Sequence, residues 1–570
     1  MKKKFLAITM GLMLLVSQMA GCGLGVTHDD TPDAGENSIT VAIQDSGNGT
    51  EFLYDLKDAY ETLHPGTTIN VVIDNTNLNQ GDHPISNGGD FFGYDLIYCE
   101  NGFSDYQTFG HKLLDITDIY SKKVYDENYN YVGDGGTVSL DDRMPEDIRK
   151  VFNIGTESAP QYKSLPWYGS LYGAWYDADL FEQEELYSLP GYKGLDCIEG
   201  NADDNLGPDG KEGTYDDGLP ATWEDMKVLL QTMVSPDYNI VPFTWSGAYG
   251  YMRTHWLDTI VATYEGLDDM YLNYTFDGTD SDFGEITFEN AYLLQKQTGK
   301  YVGLKVVEYL IQNGMYSKTS FDTSQDHHGA QEDFLNSVTT SKRSAFLLDG
   351  NYWTYEARDY FALMAKNVSA KYSRKNRDFK FFPFPKFIGT EGIEDQTNTK
   401  TIARVSLGAC IVPMASTKKP EMVKDFLLFT QSTENQLAFV KINDLMPSIK
   451  TNFSEEQYNQ LSTIAKNTLD VINDENTAIF RPAASFMPYS QKIESARYAM
   501  TSYLNQFDWY TMRGTKYEYD PFKTFYFDIK NNVKDAMNAD RWWSGLNVGN
   551  YSQSVWMDYI TTNNITNDIN

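Results

Sequence analysis

The sequence predicts an α/β protein that contains a parallel sheet. A short apolar segment at residues 39–43 is followed by residues 50–63, whose apolar side chains fall on one helical face, and then by a second apolar segment at 69–73. This strand–helix–strand order is the unit from which parallel sheets are built. Because 570 residues exceed what one hydrophobic core usually serves, we expect two or more lobes.

The N-terminus has the pattern of an export signal, residues 1–21. Three lysines precede an apolar run at 5–16, which is shorter than the roughly 20 residues of a membrane-spanning helix. Ala20 and Gly21 then precede Cys22, a spacing that resembles the lipobox of bacterial lipoproteins. We therefore expect Cys22 to carry lipid and to anchor the protein at the extracellular face of the cell membrane. The alternative is an ordinary secretory signal with an incidental cysteine.

Beyond Cys22, the composition indicates a globular body on a tether. Residues 22–37 are rich in Gly, Asp and Pro without apolar periodicity, which predicts a flexible stalk. The formal net charge of −34 argues against a nucleic-acid partner, because binding phosphates requires clustered Lys and Arg. Four cysteines in the whole chain give no disulfide framework or cysteine metal cluster.

Polar residues follow two of the predicted strands directly. Asp45 comes after residues 39–43, and Glu100 comes after a third apolar segment at 94–98. Ligands of open α/β sheets bind beyond the carboxyl ends of the strands. Asp45 and Glu100 are therefore predicted ligand-binding residues, with a helix cap or a turn as the alternative role of each.

Further segments occur in an order that resembles a known family. These segments are residues 161–182, 219–226, 344–353, 381–385, 416–430 and 444–448. Together they resemble the extracellular solute-binding proteins of bacterial ABC importers, in the family 1 branch that includes maltose-binding protein and its carbohydrate-binding relatives. The resemblance spans about 39–500; the departures are an acidic insertion, Asp349 where the family usually has Asn, and an enlarged aromatic C-terminal region.

The resemblance implies a periplasmic-binding-protein-like fold with two discontinuous α/β lobes, a hinge and an interlobe cleft. It assigns residues 38–158 and 402–478 to the first lobe and residues 160–400 and 480–570 to the second. It also implies a monomer that is not an enzyme and that binds a carbohydrate, expected to be an oligosaccharide. The permease subunits of an ABC importer would be its partner.

Candidate sugar-binding residues come from motif position and from sugar chemistry. The resemblance places Trp167 and Trp353 at positions that often face the ligand, with Trp245 as a third candidate. A sugar offers C–H faces to flat rings and a hydroxyl rim to charged groups, so tryptophans together with acids and arginines suit it. Arg481, at a chain crossing between the lobes, completes the predicted site; a surface salt bridge is its alternative role.

The acidic insertion at 196–218 predicts a structural calcium site. Its hard oxygen donors are interspersed with glycines that permit tight turns, as a cation with 6 to 8 oxygen ligands requires. The match to an EF-hand is partial, and a solvated loop is the alternative. The predicted ligands are Asp203, Asn205, Asp209, Asp216 and Asp217.

Two other functional classes fit an exported, aromatic-rich protein. A surface glycoside hydrolase would need two carboxyl groups about 5 Å or about 6.5–9.5 Å apart, and the many acids here permit such a pair. A peptide-binding or sensor lipoprotein would use arginine to hold a carboxylate terminus. We find no Gly-x-Ser-x-Gly, His-Glu-x-x-His or phosphate-loop motif.

Overall fold

The structure is a computed structural model in which most of the chain after the predicted stalk is described. The described residues are 37–482, apart from 46, 79–92, 101–109, 276–277, 279–280, 282, 285, 288 and 408, together with 540, 553–554, 557 and 561. Cys22, the predicted signal and most of the C-terminal region therefore lie outside the described residues. No helix in the described ranges combines the length and apolar character needed to cross a bilayer.

The strands are named in chain order. They are β1 (Ser38–Ile43), β2 (Thr68–Ile73), β3 (Leu96–Cys99), β4 (Leu165–Pro166), β5 (Tyr168–Gly169), β6 (Leu171–Asp177), β7 (Val241–Thr244), β8 (Ser344–Gly350), β9 (Phe379–Phe382), β10 (Thr401–Val405), β11 (Cys410–Pro413), β12 (Met446–Pro447) and β13 (Thr477–Phe480).

The α-helices follow the same convention. They are α1 (Glu51–Leu63), α2 (Thr117–Tyr120), α3 (Leu140–Arg143), α4 (Glu146–Phe152), α5 (Ala178–Gln183), α6 (Trp223–Val234), α7 (Gly250–Glu265), α8 (Leu267–Thr275), α9 (Thr298–Gln312), α10 (His327–Asn336), α11 (Trp353–Glu356), α12 (Arg358–Asn367), α13 (Pro420–Thr430), α14 (Thr433–Asn443), α15 (Glu455–Asn459) and α16 (Thr463–Asn473).

The first lobe is organised around a five-stranded sheet in the order β2-β1-β3-β11-β4. β1 pairs in parallel with β2 and β3, as the strand–helix–strand pattern predicts, whereas β11 is antiparallel to both of its neighbours. α1 buries Phe52, Leu53, Leu56 and Tyr60 in the core of this lobe. The apolar face predicted for residues 50–63 is therefore the face that packs into the core of the first lobe.

The second lobe contains the other large sheet, in the order β13-β10-β6-β8-β7, with β9 also paired to β6. α7 packs against β6, β8 and β10 and against the long helix α9. At α6, the Thr222 hydroxyl oxygen accepts a hydrogen bond from the Asp225 N–H, and the Asp225 carboxylate accepts one from the Thr222 N–H. This reciprocal cap fixes the start of the helix that follows the acidic insertion.

Three chain segments connect the lobes. One runs from β4 through β5 to β6, a second runs from β10 to β11, and a third contains β12, which pairs antiparallel with β5. The Ser406 N–H also donates to the Ser170 carbonyl at 2.9 Å, which ties the first two segments together. Such a bundle of short crossings permits hinge closure between two rigid lobes.

The predicted lobe boundaries need correction at the second crossing. Residues 402–478 were assigned to the first lobe, but β10 at the start of this range and β13 at its end pair with each other and belong to the second sheet. α16 also packs on β9 of that sheet. The apolar segments alone could not show this, because a strand's pattern does not identify the sheet it joins. At the C-terminus, Met557 packs against the core of the second lobe, and the assignment of 480–570 stays a prediction.

Candidate functional site

The two lobes meet where the loop after β1 approaches α11. A Cβ added to Gly47 would stand 2.6 Å from the Glu356 carboxylate, and one added to Gly49 would stand 2.4 Å from the Tyr355 hydroxyl. Gly49 also has a φ of +74°, which non-glycine residues rarely adopt. The two glycines therefore allow the first lobe to come into direct contact with the second.

The first lobe contributes a hydrogen-bonded group at this junction. The Asn48 amide donates to Glu100 Oε1 at 2.6 Å and also to the Tyr168 hydroxyl. Asn48 follows β1, Glu100 follows β3, and Tyr168 lies in the connecting strand β5. Burial, followed by the nearby Glu100 charge, holds the pKa of Tyr168 well above its usual value. Its hydroxyl therefore stays protonated and can donate a hydrogen bond.

The second lobe presents a pair of buried acids. The Gln331 side-chain amide donates to Asp349 Oδ2 at 3.1 Å and to Glu356 Oε2 at 2.8 Å. Burial raises the pKa of Asp349 to about 7. Burial and the neighbouring Asp349 charge raise the pKa of Glu356 to about 8. Two carboxyl groups held this close share protons, because both cannot ionise cheaply in a poorly solvated site.

The charged groups around the acid pair do not neutralise it. His327 Nε2 lies 3.8 Å from Glu356 Oε1, but burial and His328 lower the pKa of His327 to about 4, so its imidazole is uncharged near neutral pH. Arg358 acts on Glu356 only as a weaker, longer-range charge, and Glu100 opposes it. Within the described ranges, no lysine or arginine nitrogen lies within 4 Å of either carboxyl group.

Tyrosine rings cover the remaining sides of the junction. The Tyr352 hydroxyl donates to the Tyr172 hydroxyl at 3.2 Å, and the Tyr172 ring meets the His255 ring edge-on at 4.5 Å. Tyr251, whose side chain is exposed, lies 5.6 Å from the same histidine ring. On the other side of Tyr172, the buried Arg404 guanidinium lies 5.5 Å from its ring centroid.

This arrangement suits a polar, neutral ligand with apolar faces. Carboxyl, amide and phenol groups from both lobes can accept and donate hydrogen bonds, and the tyrosine rings can stack on C–H faces. Because the groups come from both lobes, a ligand that contacts them all would hold the lobes together. The junction is therefore the candidate ligand site.

The three tryptophans predicted to bind ligand lie in hydrophobic cores. Trp167 packs among Phe52, Tyr98 and Phe439, with ring centroids 4.8–5.7 Å away. The Trp353 and Trp245 side chains are 0% exposed, Trp353 among phenylalanines and Trp245 beside a tyrosine and a phenylalanine. Their role in binding stays a prediction, and the burial of their rings in this conformation weighs against it.

A tyrosine next to each of two tryptophans has its hydroxyl at the junction. Tyr168 follows Trp167 and Tyr352 precedes Trp353, and both tyrosines reach the junction. The Tyr168 ring also packs in the core, 4.8 Å from the Trp167 ring, and it is the hydroxyl of Tyr168 that reaches Asn48. The segments that carry the motif therefore contribute tyrosine hydroxyls to the junction, and ligand binding by Trp167 and Trp353 stays a prediction.

The other three predicted ligand residues, Glu100, Asp45 and Arg481, lie in different surroundings. Glu100 lies at the junction, bonded to Asn48. Asp45 is exposed beside it, and its N–H donates to the Asn75 side chain at 2.8 Å. The Arg481 guanidinium pairs with Asp147 of α4, which is the salt bridge considered as its alternative role.

Sequence reasoning missed most of the junction. No spacing distinguishes Asn48, Tyr172, Gln331, Tyr352 or Glu356 from ordinary polar residues, because they are brought together by packing of segments far apart in the chain. Asp349 did carry a signal, since it was recognised as a departure from the family pattern. The structure pairs that departure with Glu356 through Gln331.

The acidic insertion is divided into two halves by its hydrogen bonds. In the first half, Asp203 Oδ2 accepts from the Asp196 N–H at 2.9 Å. In the second half, Asp217 Oδ2 accepts from the Gly213 N–H at 2.7 Å, and the Gly218 N–H closes the loop onto the Asn205 carbonyl. In the described part of the chain, no three His, Cys, Asp or Glu side chains are grouped as metal ligands.

The second half of the insertion contains two buried carboxyl groups. Asp216 is 0% exposed and accepts from the Asp209 N–H at 3.0 Å and from the Thr214 hydroxyl at 2.7 Å. Asp209 Oδ1 accepts from the Lys211 N–H, whereas its buried Oδ2 has no hydrogen-bond partner. Burial raises the pKa of Asp216 to about 7, with the Asp209 charge acting in the same direction.

Comparison with known proteins gives a fold but no sequence relative. No protein-family model matches the chain, and no curated protein is similar to it in sequence. The bacterial solute receptor AcbH, described as having an exclusive substrate preference for b-D-galactopyranose, is similar in structure at 15% identity, over 82% of this chain and 93% of that one, with a TM-score of 0.50.

A second structure comes from work on xylan utilization by the thermophilic bacterium Caldanaerobius polysaccharolyticus. It is 12% identical, with 84% of this chain and 99% of that one covered, at a TM-score of 0.50. At such low identities, this likeness concerns the fold alone. It confirms the predicted α/β, periplasmic-binding-protein-like architecture.

Proposed function

We propose that this protein is a lipid-anchored extracellular receptor that binds a carbohydrate between its lobes and delivers it to an ABC importer. The observation that carries the proposal is the junction itself. Hydrogen-bonding groups of both lobes, Glu100 and Asn48 from one and Glu356 from the other, meet beside tyrosine rings. The fold shared with the solute receptor AcbH agrees with this role.

An oligosaccharide is the ligand class we favour. Exposed Tyr249 and Tyr251 adjoin each other at 5.9 Å between ring centroids, next to the buried groups of the junction. A chain of sugars could place one unit among the buried groups and stack a further unit on these exposed rings. A monosaccharide would leave Tyr249 and Tyr251 uncovered.

The hydrolase alternative is disfavoured by the position of Gln331. A glycosidase needs its two carboxyl groups on opposite sides of the bond to be broken. Here the Gln331 amide stands between Asp349 and Glu356 and bonds to both, so it occupies the space that the glycosidic bond would need. For the peptide-binding alternative, no arginine or lysine nitrogen lies within 4 Å of the Asp349 and Glu356 carboxyl groups in the described ranges, and a peptide carboxylate would be repelled by these acids.

The function can be tested by calorimetry against mono- and oligosaccharides, with Glu100→Gln as the binding variant. Removing a charged hydrogen-bond acceptor at the site should lower sugar affinity roughly tenfold. Glu391→Gln, at an exposed loop position, is the matched control and should leave the affinity unchanged. If no sugar binds the wild-type protein, or if it releases cleaved sugar steadily, the receptor proposal is wrong.

Lipid anchoring at Cys22 is a separate part of the proposal. The support is the sequence alone, in which Cys22 follows two small residues after a short apolar run. Mass spectrometry of the mature N-terminus should find a lipid-modified cysteine, and Cys22→Ser should release the protein from the cell surface. A mature protein that begins elsewhere would contradict this part and leave the sugar-binding part intact.

We also propose that the insertion binds calcium through its second half. Asp209 and Asp216 are buried close together, and the buried Oδ2 of Asp209 lacks a hydrogen-bond partner. A cation would relieve the repulsion between the two carboxylates, with backbone carbonyls and water completing its ligands. The contacts of Asp203 place it in the other half of the loop, so the full predicted set of five ligands is not supported.

Terbium offers a direct test of the calcium proposal, because Tyr215 adjoins Asp216 and can transfer excitation energy to a bound lanthanide. Tyrosine-sensitised terbium emission should appear in the wild-type protein, fall when calcium is added, and be lost in Asp209→Asn. Asp203→Asn should keep the emission if the site lies in the second half only. Emission that survives Asp209→Asn would contradict the assignment.

A further inference from the structure

A basic pocket lies on the other side of α11 from the candidate ligand site. Its volume is about 720 Å³, and its wall includes Thr354 of α11 and Asp444, which directly follows α14. The cationic residues that line it are Arg358, Arg374, Lys375, Arg377, Lys441 and Lys466. Asp444 is the one carboxylate in the described lining. In a chain with a formal charge of −34, such a concentration of positive charge at one cavity calls for an explanation.

Two of the six cations are neutralised by carboxylates. Arg374 pairs with Asp444, and Arg377 bonds to Asp177 and Asp179, both at 2.8 Å. These pairs have a structural role, because each holds a buried or half-buried guanidinium in place. They leave the pocket with the charges of the remaining four side chains.

Those four cations have no carboxylate within 4 Å in the described ranges. The Arg358 guanidinium donates to the Tyr355 carbonyl at 3.1 Å and lies 4.3 Å from the Tyr355 ring centroid, which orients it without neutralising it. Lys441 Nζ donates to Gln460 Oε1 at 3.2 Å, and Lys466 Nζ lies 5.6 Å from the Tyr458 ring centroid. These contacts place Arg358, Lys441 and Lys466 at the cavity without a carboxylate in direct contact. Glu51 and Glu356 act on Arg358, and Asp470 on Lys466, only as longer-range charges.

The walls of the pocket come from different parts of the fold. Arg358 and Lys375 belong to the second lobe, whereas Lys441 lies at the end of α14 of the first lobe. Lys466 lies on α16, in the segment that returns from the first lobe to the second sheet. An anion in the pocket would therefore attract groups from both lobes and oppose their separation.

We propose that this pocket binds a small tetrahedral dianion, a phosphate or sulfate group, which stabilises the arrangement of the lobes seen here. Two negative charges on adjacent oxygens suit several lysine and arginine donors that converge from different directions. The cavity is far larger than one such group, so the group can be free or part of a larger molecule. Binding here does not require a sugar in the cleft, and the inference is independent of the proposed function.

The test uses the protein without sugar and compares anions at equal ionic strength. At about 10 mM sulfate or phosphate, the melting temperature should rise by roughly 2 °C or more over a chloride control, because a ligand that binds only the folded state stabilises it. Sulfate is the primary probe, since phosphate would also remove calcium. Glycerol 3-phosphate distinguishes a group that must be free from one that can be part of a larger molecule.

A charge-matched pair of variants assigns the effect to the pocket. Lys441→Gln/Lys466→Gln should weaken sulfate affinity at least tenfold by calorimetry, whereas Lys122→Gln/Lys123→Gln removes the same charge from an exposed segment elsewhere and should leave it unchanged. Circular dichroism checks that both variants are folded, and Arg358→Gln replaces the first variant if it is not. Equal stabilisation by chloride, or unchanged sulfate affinity in the pocket variant, overturns the proposal.

Discussion

Buried carboxyl groups on the two sides of α11 have different hydrogen-bond partners. On the cleft side, Asp349 and Glu356 are buried together with only an amide between them. On the other side, Asp444 is buried as well, but it accepts hydrogen bonds from Arg374, Thr354 and Ser462. A helix of four residues separates the two environments.

This difference shows which buried charge serves stability and which is available for binding. Asp444 accepts hydrogen bonds from protein side chains, including a cation. It can therefore remain ionised while buried and link segments of the two lobes. The cleft acids have no such cation and hold protons instead, which leaves oxygen atoms that a ligand can use. The following predictions test this contrast.

The largest effect is expected from Trp353→Ala, because this ring anchors α11 in the core beneath both sides. Removing a fully buried tryptophan should lower the free energy of unfolding by about 3–5 kcal/mol. Denaturant unfolding measures this, with Tyr54→Ala at an exposed position as the control. If the variant keeps normal stability but loses sugar affinity, Trp353 contacts the ligand instead of anchoring the core.

Asp444→Ala should lower the free energy of unfolding by roughly 3 kcal/mol, since it leaves Arg374 without its partner. Part of this loss comes from the backbone, because Asp444 has a φ of +63° that alanine tolerates poorly. Asp444→Asn keeps the shape and tolerates this φ, so it should lose only the charge-dependent part. An exposed pair, Lys150 with Glu146, should contribute less than about 1 kcal/mol in the same assay.

On the cleft side, Tyr352→Ala should act on binding more than on folding. It removes a ring and a hydroxyl that bonds to Tyr172, so sugar affinity should fall about tenfold, or about 1.4 kcal/mol. Tyr352→Phe keeps the ring and separates stacking from hydrogen bonding in the same calorimetric series. Unchanged affinity in both variants would remove Tyr352 from the site.

The last effect concerns pH. The pKa of Glu356 rises from 4.5 to about 8 on folding, so the folded state binds more protons than the unfolded state between those values. Stability from this group is fully present below pH 4.5 and is lost as the pH rises through 8. Relative to Glu356→Gln, the wild-type protein should lose stability steadily between pH 5 and pH 8, by about 3–4 kcal/mol if the whole shift is expressed. Parallel pH profiles of the two proteins would show that Glu356 is not buried with a raised pKa.

The sequence predicted the first half of the fold better than the second. The apolar spacing of residues 39–73 is local, so it correctly indicated β1, α1 and β2 and their parallel pairing. The family resemblance assigned β10 and β13 to the wrong lobe, because the pairing of strands far apart in the chain cannot be read from local sequence. Similarly, Glu100 was predicted from its position after a strand, whereas Glu356 and Gln331 had no such position to mark them.

By itself, the sequence indicated the α/β, periplasmic-binding-protein-like class, and it predicted an export signal and the chain segments expected to line a cleft. These depend on composition, on periodicity and on ordered motifs, all of which are properties of short stretches of chain. The tertiary structure decided that the Trp167 and Trp353 rings are buried in the cores and which carboxyl groups are left without a cation. Both depend on packing between segments far apart in the chain, which determines burial and hence the cost of each charge.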